Sequence, residues 1–343
     1  MKTAVISAPY KFEIKEMQKP TPQAGQLLIR VKSVGICGSD VHGMEAEGGI
    51  RRRPGLIMGH EASGQIEAVG ENVVGWKPGD RVAINPQLSC GYCYGCERGL
   101  KHLCENGVVL GSSRVSMSHG AMQEYIIVPP RQVNKLPDNV SYDEGCTLDF
   151  VGNAMHVMNR AEGKFGDTYV VIGTGAIGLV IVQLAKLRGA GKIIAVDTSP
   201  TKLELAKKYG ADRVINPMHE DVIEAVKQET NGYGADISIE AVGIPATYET
   251  AVNVLRIQGK LMALGFAVNE VKIPIQPLLF KELSIIGCTG FAFEAESVLN
   301  MISDGRIDVK TLITHKYTLD KIEAGFESIL DLTSNTIKVV INP

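Results

Sequence analysis

The sequence predicts a mixed α/β chain of two domains, a β-rich part first and a parallel-sheet part after it. Three observations lead there. The first ~150 residues read as short strands broken by Gly and Pro, the rhythm of a barrel-like β domain. From Tyr169 to about Leu264, apolar strands alternate with helical patterns, which indicates βαβ units and a parallel sheet. The length, 343 residues, suits about two domains.

The elements follow in order. Ala24-Gly25 leads into an alternating strand over 26–32, and Gly79-Asp80 is a turn before a strand at 81–84. Near Asn153 the texture changes. Val170-Val171-Ile172 is a buried strand, 177–187 a helix, 193–196 a strand and 202–209 a helix. Further strands fall at 236–240, 259–265 and 283–287. The tail from about Phe291 holds helices at 294–303 and 322–332 and a last strand at 336–341. The chain carries no internal repeat and no low-complexity segment.

Composition excludes several classes. Hydrophobic residues make up 45% and charged residues 21%, the balance of a soluble globular protein. The net charge is -3 with no long basic block, so nucleic acid is not an expected partner. The N-terminal run Met1 to Ile6, followed by Pro9, lacks the apolar core of a secretory signal. Residues 168–185 carry no charge and reach the length of a membrane helix. Gly173, Gly175 and Gly178 interrupt them, and Thr174 and Gln183 add polarity. A strand, a turn and a helix explain this stretch, so no membrane partner is expected. Seven cysteines, four of them at metal spacing, point to a reducing compartment, taken as the cytoplasm.

Three motifs carry chemistry. Cys90, Cys93, Cys96 and Cys104 form a C-x2-C-x2-C-x7-C array. Four thiolates at that spacing can close a tetrahedral shell around zinc, with no open position, which argues for a structural staple. Gly173-Thr174-Gly175-Ala176-Ile177-Gly178 is a G-x-G-x-x-G run that follows an apolar strand and opens a helix. Gly173 makes the tight turn, Gly175 admits a pyrophosphate and Gly178 lets helix and strand pack closely. The N–H groups at the helix start, from Ala176 and Ile177 on, face the phosphates. Asp197 ends the next strand, where a carboxylate accepts from a ribose diol and repels a 2′-phosphate, favouring NAD over NADP. Upstream, Cys37 and His60 are zinc-type ligands, with Glu61 or another carboxylate as a third. Three ligands and a vacancy make a catalytic zinc, which polarises a bound oxygen. The plainer alternative is a packed or solvated His-Glu pair.

In combination the chain resembles zinc-dependent members of the medium-chain dehydrogenase/reductase superfamily, in the branch of polyol (sorbitol-like) and secondary-alcohol dehydrogenases. The matching segments are 35–42, Gly59-His60-Glu61 through Gly64 and Gly70, 79–82, the four-cysteine lobe and 173–178. They stand in the family's order and span essentially the whole chain. The resemblance implies a GroES-like β-barrel catalytic domain over 1–152. It implies a doubly wound Rossmann NAD-binding domain over 153–289 and a C-terminal return to the catalytic domain over 290–343. It implies that Cys37 and His60 bind a catalytic Zn2+, with Glu61 a ligand in some states and Asp149 exchanging with it. Ser39 would take the substrate proton and His42 pass it to solvent through the nicotinamide ribose. Cys90, Cys93, Cys96 and Cys104 would hold a structural Zn2+. The expected partners are NAD, a small alcohol or ketone, and further copies of the chain in a dimer or tetramer.

The pattern also departs from the family. Sorbitol dehydrogenases carry an Arg-Tyr pair where this chain has Gly290 and Phe291, which counts against sorbitol itself. Gly152-Asn153-Ala154 looks closer to threonine-dehydrogenase-like relatives. Arg51-Arg52-Arg53 lies between the relay and zinc histidines and reads either as a contact for an anionic substrate group or as a solvated basic turn. His102, Cys146, His156, Trp76 and Cys288 read as packing residues. Two other functions compete. A zinc-free quinone or enone reductase is opposed by Cys37, His60, the cysteine lobe and Asp197. A zinc module for protein or nucleic-acid contact is opposed by the near-neutral charge and the glycine loop.

Overall fold

The computed structural model describes residues 1–44, 52–268, 270–331 and 333–343. The chain divides into two units, Met1–Gly152 with Gly290–Pro343, and Asn153–Thr289.

In the unit Asn153–Thr289 six strands run parallel. They are β1 (Thr168–Ile172), β2 (Lys192–Val196), β3 (Arg213–Ile215), β4 (Ala235–Glu240), β5 (Leu255–Ala263) and β6 (Ser284–Gly287). Their spatial order is β3-β2-β1-β4-β5-β6. The order reverses at β1, the switch point where doubly wound sheets open a crevice beyond their strand ends. Val170, Val171, Ile193, Ile194 and Ile239 are buried, because helices cover both faces of a parallel sheet. The connecting helices are α1 (Ala176–Leu187), α2 (Pro200–Lys208), α3 (Val222–Glu229) and α4 (Pro245–Asn253). Ser199 caps α2 ahead of Pro200, and Asp221 caps α3 by accepting from Glu224 N. The uncharged stretch 168–185 is split between β1 and α1. Among the described residues no helix is long and apolar enough to cross a membrane. β3, α3 and α4 lack a strong local signal. β3 is three residues long, too short to show a period, and α3 and α4 span about two turns each.

The other unit is built on a mainly antiparallel sheet. Its strand order is Ile313–Thr318, Lys338–Asn342, Leu27–Ile36, Glu61–Val69, Arg81–Ile84, Val133–Lys135, with Tyr125–Val128 also pairing on Leu27–Ile36. Leu27, Ile29, Ile66, Val82, Ile84, Met122 and Phe326 form its core. The last strand pairs antiparallel with the third in this order, Val340 lying opposite Gly35. That long-range pairing places the C-terminal segment in the N-terminal unit. The strand expected over 26–32 continues to Ile36, because its far half pairs with Glu61–Val69.

Candidate metal and cofactor sites

Register builds the open site. Leu27–Ile36 and Glu61–Val69 are antiparallel neighbours with Gly35 opposite Glu61. Cys37 follows the first strand and His60 precedes the second, so pairing brings together residues far apart in sequence. The ligand atoms of Cys37, His60 and Glu61 lie within 4.8 Å of one another. Gly59 has φ +94, and a Cβ there would stand 2.7 Å from Val34 Cγ1; only glycine delivers His60 along this path. Asp149 sits in the first turn of the helix Leu148–Ala161, with Oδ2 3.9 Å from His60 Nε2. Ser39 and His42 lie on the short helix Gly38–His42 that begins beside Cys37, Ser39 half-buried and His42 exposed.

Asp40, Arg52 and Lys338 complete the surroundings. Asp40 Oδ1 lies 3.4 Å from His60 Nδ1 and accepts from Arg52 Nε at 3.2 Å and Nη2 at 3.1 Å. Asp40 Oδ2 accepts from Cys37 N at 3.2 Å. Burial opposes charge on Asp40, but His60 and Arg52 hold its carboxyl well below the usual carboxylate range. Burial likewise opposes charge on His60, yet Asp40 and Cys37 outweigh it and raise the imidazole well above its ordinary value. Lys338 Nζ donates to Glu61 Oε2 at 2.7 Å, to Glu61 Oε1 at 2.9 Å and to Ile36 O at 3.0 Å. A Cβ on Gly35 would fall 2.1 Å from Glu61 Oε2, so glycine is required to seat that carboxylate. Burial pushes Asp149 up to about 6 against the pull of His60.

One thiol, one imidazole backed by a carboxylate, and one of two nearby carboxylates supply three zinc donors and leave a fourth position open. The crowding of buried acidic groups is the kind that a cation relieves. The expectation for the arginine run fails at Arg52, whose guanidinium is buried and taken by Asp40. Arg53 is exposed, and Arg51 lies outside the described residues.

The four-cysteine lobe gathers separately. All four Sγ atoms lie within 4.8 Å of one another. Cys90 to Cys96 is 3.9 Å and Cys93 to Cys104 is 3.7 Å. A tetrahedron of zinc–sulfur bonds near 2.3 Å has edges of about 3.8 Å, whereas a disulfide needs about 2.05 Å. The donors fit a closed zinc shell. Backbone N–H groups at Tyr92 and Cys93 lower the pKa of Cys90, which favours its thiolate.

The glycine loop lies in the other unit. Gly173 has φ +90, and a Cβ there would meet Val242 Cγ2 at 2.6 Å. A Cβ on Gly178 would lie 1.9 Å from Gly173 O, so the helix packs onto the loop with no room for a side chain. Gly175 faces open space, and α1 begins after it with no side-chain cap. The N–H groups of the first turn, including those of Ala176, Ile177 and Gly178, are thereby left to an anion. Asp197 ends β2. Its Oδ2 accepts from Thr174 N at 2.7 Å and its Oδ1 from Ser199 N at 2.9 Å. The carboxylate therefore pins the loop and keeps further lone pairs for a diol.

Three residues were missing from the sequence expectation. Lys338 was signalled by its charge within the apolar run Ile337 to Ile341, whereas Asp40, between Ser39 and Val41-His42, carried no such signal. Glu240, buried at the end of β4, accepts from Val242 N at 3.0 Å, Gly243 N at 2.8 Å and Thr247 Oγ1 at 2.7 Å. It thereby fixes the segment that lies against Gly173.

The departures from the family pattern have packing causes. Phe291 is buried against Gly152, where a Cβ would approach its ring to 2.7 Å, and Ala154 is buried too. Packing thus accounts for Gly152 and Ala154, while Asn153 is only half-buried. Cys146, Cys288, His102 and His156 are buried, and Trp76 packs against the core of its unit.

Residues 23–138 match the alcohol dehydrogenase GroES-like domain and residues 176–304 the zinc-binding dehydrogenase model. The chain is 34% identical to a sorbitol dehydrogenase of Bacillus subtilis, over 100% of this chain and 97% of that protein. It is 35% identical to an L-threonine 3-dehydrogenase of Pyrococcus furiosus, over 93% of this chain and 92% of the other. A solved alcohol dehydrogenase from Escherichia coli CFT073, complexed with NADH, aligns with TM-score 0.91 at 31% identity, covering 100% of this chain and 99% of that one.

Proposed function

The chain belongs to the zinc-binding dehydrogenases of the medium-chain dehydrogenase/reductase superfamily, and from that premise we propose that it oxidises a polyol-like or secondary alcohol with NAD. It is an oxidoreductase acting on CH–OH groups. The observation that carries the proposal is the gathering of half-buried Cys37 with buried His60 and Glu61, with His60's other ring nitrogen beside Asp40.

When bound, zinc supplies Lewis acidity to the substrate oxygen and NAD takes up the hydride leaving the carbinol carbon. Cys37 Sγ and His60 Nε2 hold the metal, with Glu61 or Asp149 as the exchanging carboxylate. Ser39 Oγ accepts the hydroxyl proton as its own proton moves on, and His42 releases a proton to solvent. The loop 173–178 binds the pyrophosphate and Asp197 the ribose diol, so that its negative charge disfavours a 2′-phosphate. Cys90, Cys93, Cys96 and Cys104 hold a second, structural zinc. In this reading 1–152 with 290–343 is the catalytic part and 153–289 binds NAD.

Three further features belong to the proposal. Seven free cysteines suit a reducing, cytoplasmic setting. The edge strand β6 and the helix Ile275–Phe280 expose Ile285, Ile275, Leu279 and Phe280, which supports a homo-oligomer. An anionic group on the substrate would fall to Arg53 among the described arginines of the run.

A second reading, oxidation of an amino alcohol such as threonine, rests on the identity to the threonine dehydrogenase. The test is NADH formation with polyols, hydroxy acids and threonine, with and without a chelator. Chelator-sensitive turnover of a polyol or secondary alcohol supports the proposal. Turnover of threonine alone favours the second reading, and chelator-resistant turnover sinks both.

A further inference from the structure

We propose that Arg52 is a positioning residue for the Cys37–His60 site, acting through Asp40 on the imidazole and on the helix that carries Ser39 and His42. The inference rests on the metal reading above and deepens it.

Arg52 grips that helix twice. Its backbone N–H donates to Gly43 O at 2.8 Å, just past the last residue of Gly38–His42. Its Nε and Nη2 converge on one oxygen, Asp40 Oδ1. The side chains of Arg52 and Asp40 are 2% and 0% exposed. Charges so deeply withdrawn are costly to bury, so neither is a surface ornament.

Asp40 is the junction. Oδ1 serves Arg52 and faces His60 Nδ1, while Oδ2 takes the N–H of Cys37. One carboxylate therefore touches the ring of one ligand residue and the backbone of another. Two N–H groups meeting at Oδ1 fix the rotation of the carboxyl plane and leave Oδ2 turned to Cys37. A planar guanidinium does this; a lysine ammonium offers a single point charge with no fixed plane. Outer partners of a ligating histidine set its ring orientation and metal affinity. Arg52 stands one step farther out, holding the residue that holds the histidine.

The experiment measures zinc release from the intact protein to a chromophoric chelator under native conditions. Wild type, Arg52→Met and Arg52→Lys are compared, and His60→Ala assigns which phase belongs to the open site. Cobalt-substituted samples report the geometry of that site by their visible absorption. The expected result is release from the open site roughly 10–100-fold faster in R52M, intermediate in R52K, with a shifted cobalt band. Release from the four-cysteine lobe stays at the wild-type rate. Wild-type release and cobalt band in R52M overturn the proposal. So does equal acceleration at both sites, which would mark Arg52 as a general support of the unit. Should R52M fail to fold, R52K decides: selective acceleration supports the proposal and wild-type behaviour overturns it. A wild-type protein that takes up no metal at Cys37 and His60 would instead refute the metal reading.

Discussion

Lys338→Met removes the cation that Glu61 faces. The two side chains are 5% and 0% exposed and joined by two hydrogen bonds of 2.7 and 2.9 Å. Burial opposes charge on Lys338, but Glu61 and Cys37 raise its pKa, so it is an ammonium in the folded protein. Removing one partner of such a pair leaves an uncompensated buried charge and costs about 3–5 kcal/mol. For a unit of this size that is a fall in Tm of roughly 10 °C. A cation at Cys37 and His60 gives Glu61 a second positive neighbour, so the metal-loaded variant should lose much less. The assay is thermal unfolding by circular dichroism, comparing the variant with wild type both zinc-loaded and stripped. Stripping empties the cysteine lobe in both proteins, so that contribution cancels between them. An unchanged Tm in the stripped variant refutes the reasoning, as does an identical drop with and without zinc.

Other consequences can be checked in parallel. Gly35→Ala drives a methyl into Glu61 Oε2, so the variant should retain less zinc while its NADH affinity holds; metal analysis and calorimetric titration test both. Gly178→Ala places a methyl 1.9 Å from Gly173 O. It should weaken NADH binding by at least about tenfold, the equivalent of roughly 1.4 kcal/mol, with zinc content unchanged. Asp143 accepts from Ser33 and Asn342 and pairs with Lys316. Burial opposes its ionisation, but these partners keep its pKa lowered. Its stabilisation is fully present above the ordinary aspartate value of about 4 and fades as pH falls through the lowered one. The Tm gap between wild type and Asp143→Asn should therefore be full at neutral pH and close in acid.

What the sequence makes legible is what is local. The strand, glycine turn and helix around 168–187 can be read because apolar period, turn chemistry and helix start lie within twenty residues of one another. The cysteine array is legible for the same reason, as spacing alone gathers its thiols. Cys37 and His60 stand out by residue type, but their proximity depends on the register that sets Gly35 opposite Glu61. The rest of the site is non-local. Lys338 meets Glu61 across 277 positions, and the strand that carries it joins the sheet only through pairing with the N-terminal half. Arg52 shows how local reading misleads. Three adjacent arginines look like a solvated turn or an anion contact, yet the middle one is buried on an aspartate twelve positions earlier. A buried charge pair leaves no periodic trace, so neither its partner nor its depth can be read from composition.

The most direct test of the central claim is metal content measured alongside turnover in wild type and His60→Ala. Wild type should hold two zinc ions per chain and form NADH in the presence of the alcohol. The variant should keep one zinc ion, in the cysteine lobe, and form no NADH. Wild-type protein with zinc in the lobe alone and undiminished alcohol oxidation would contradict the claim.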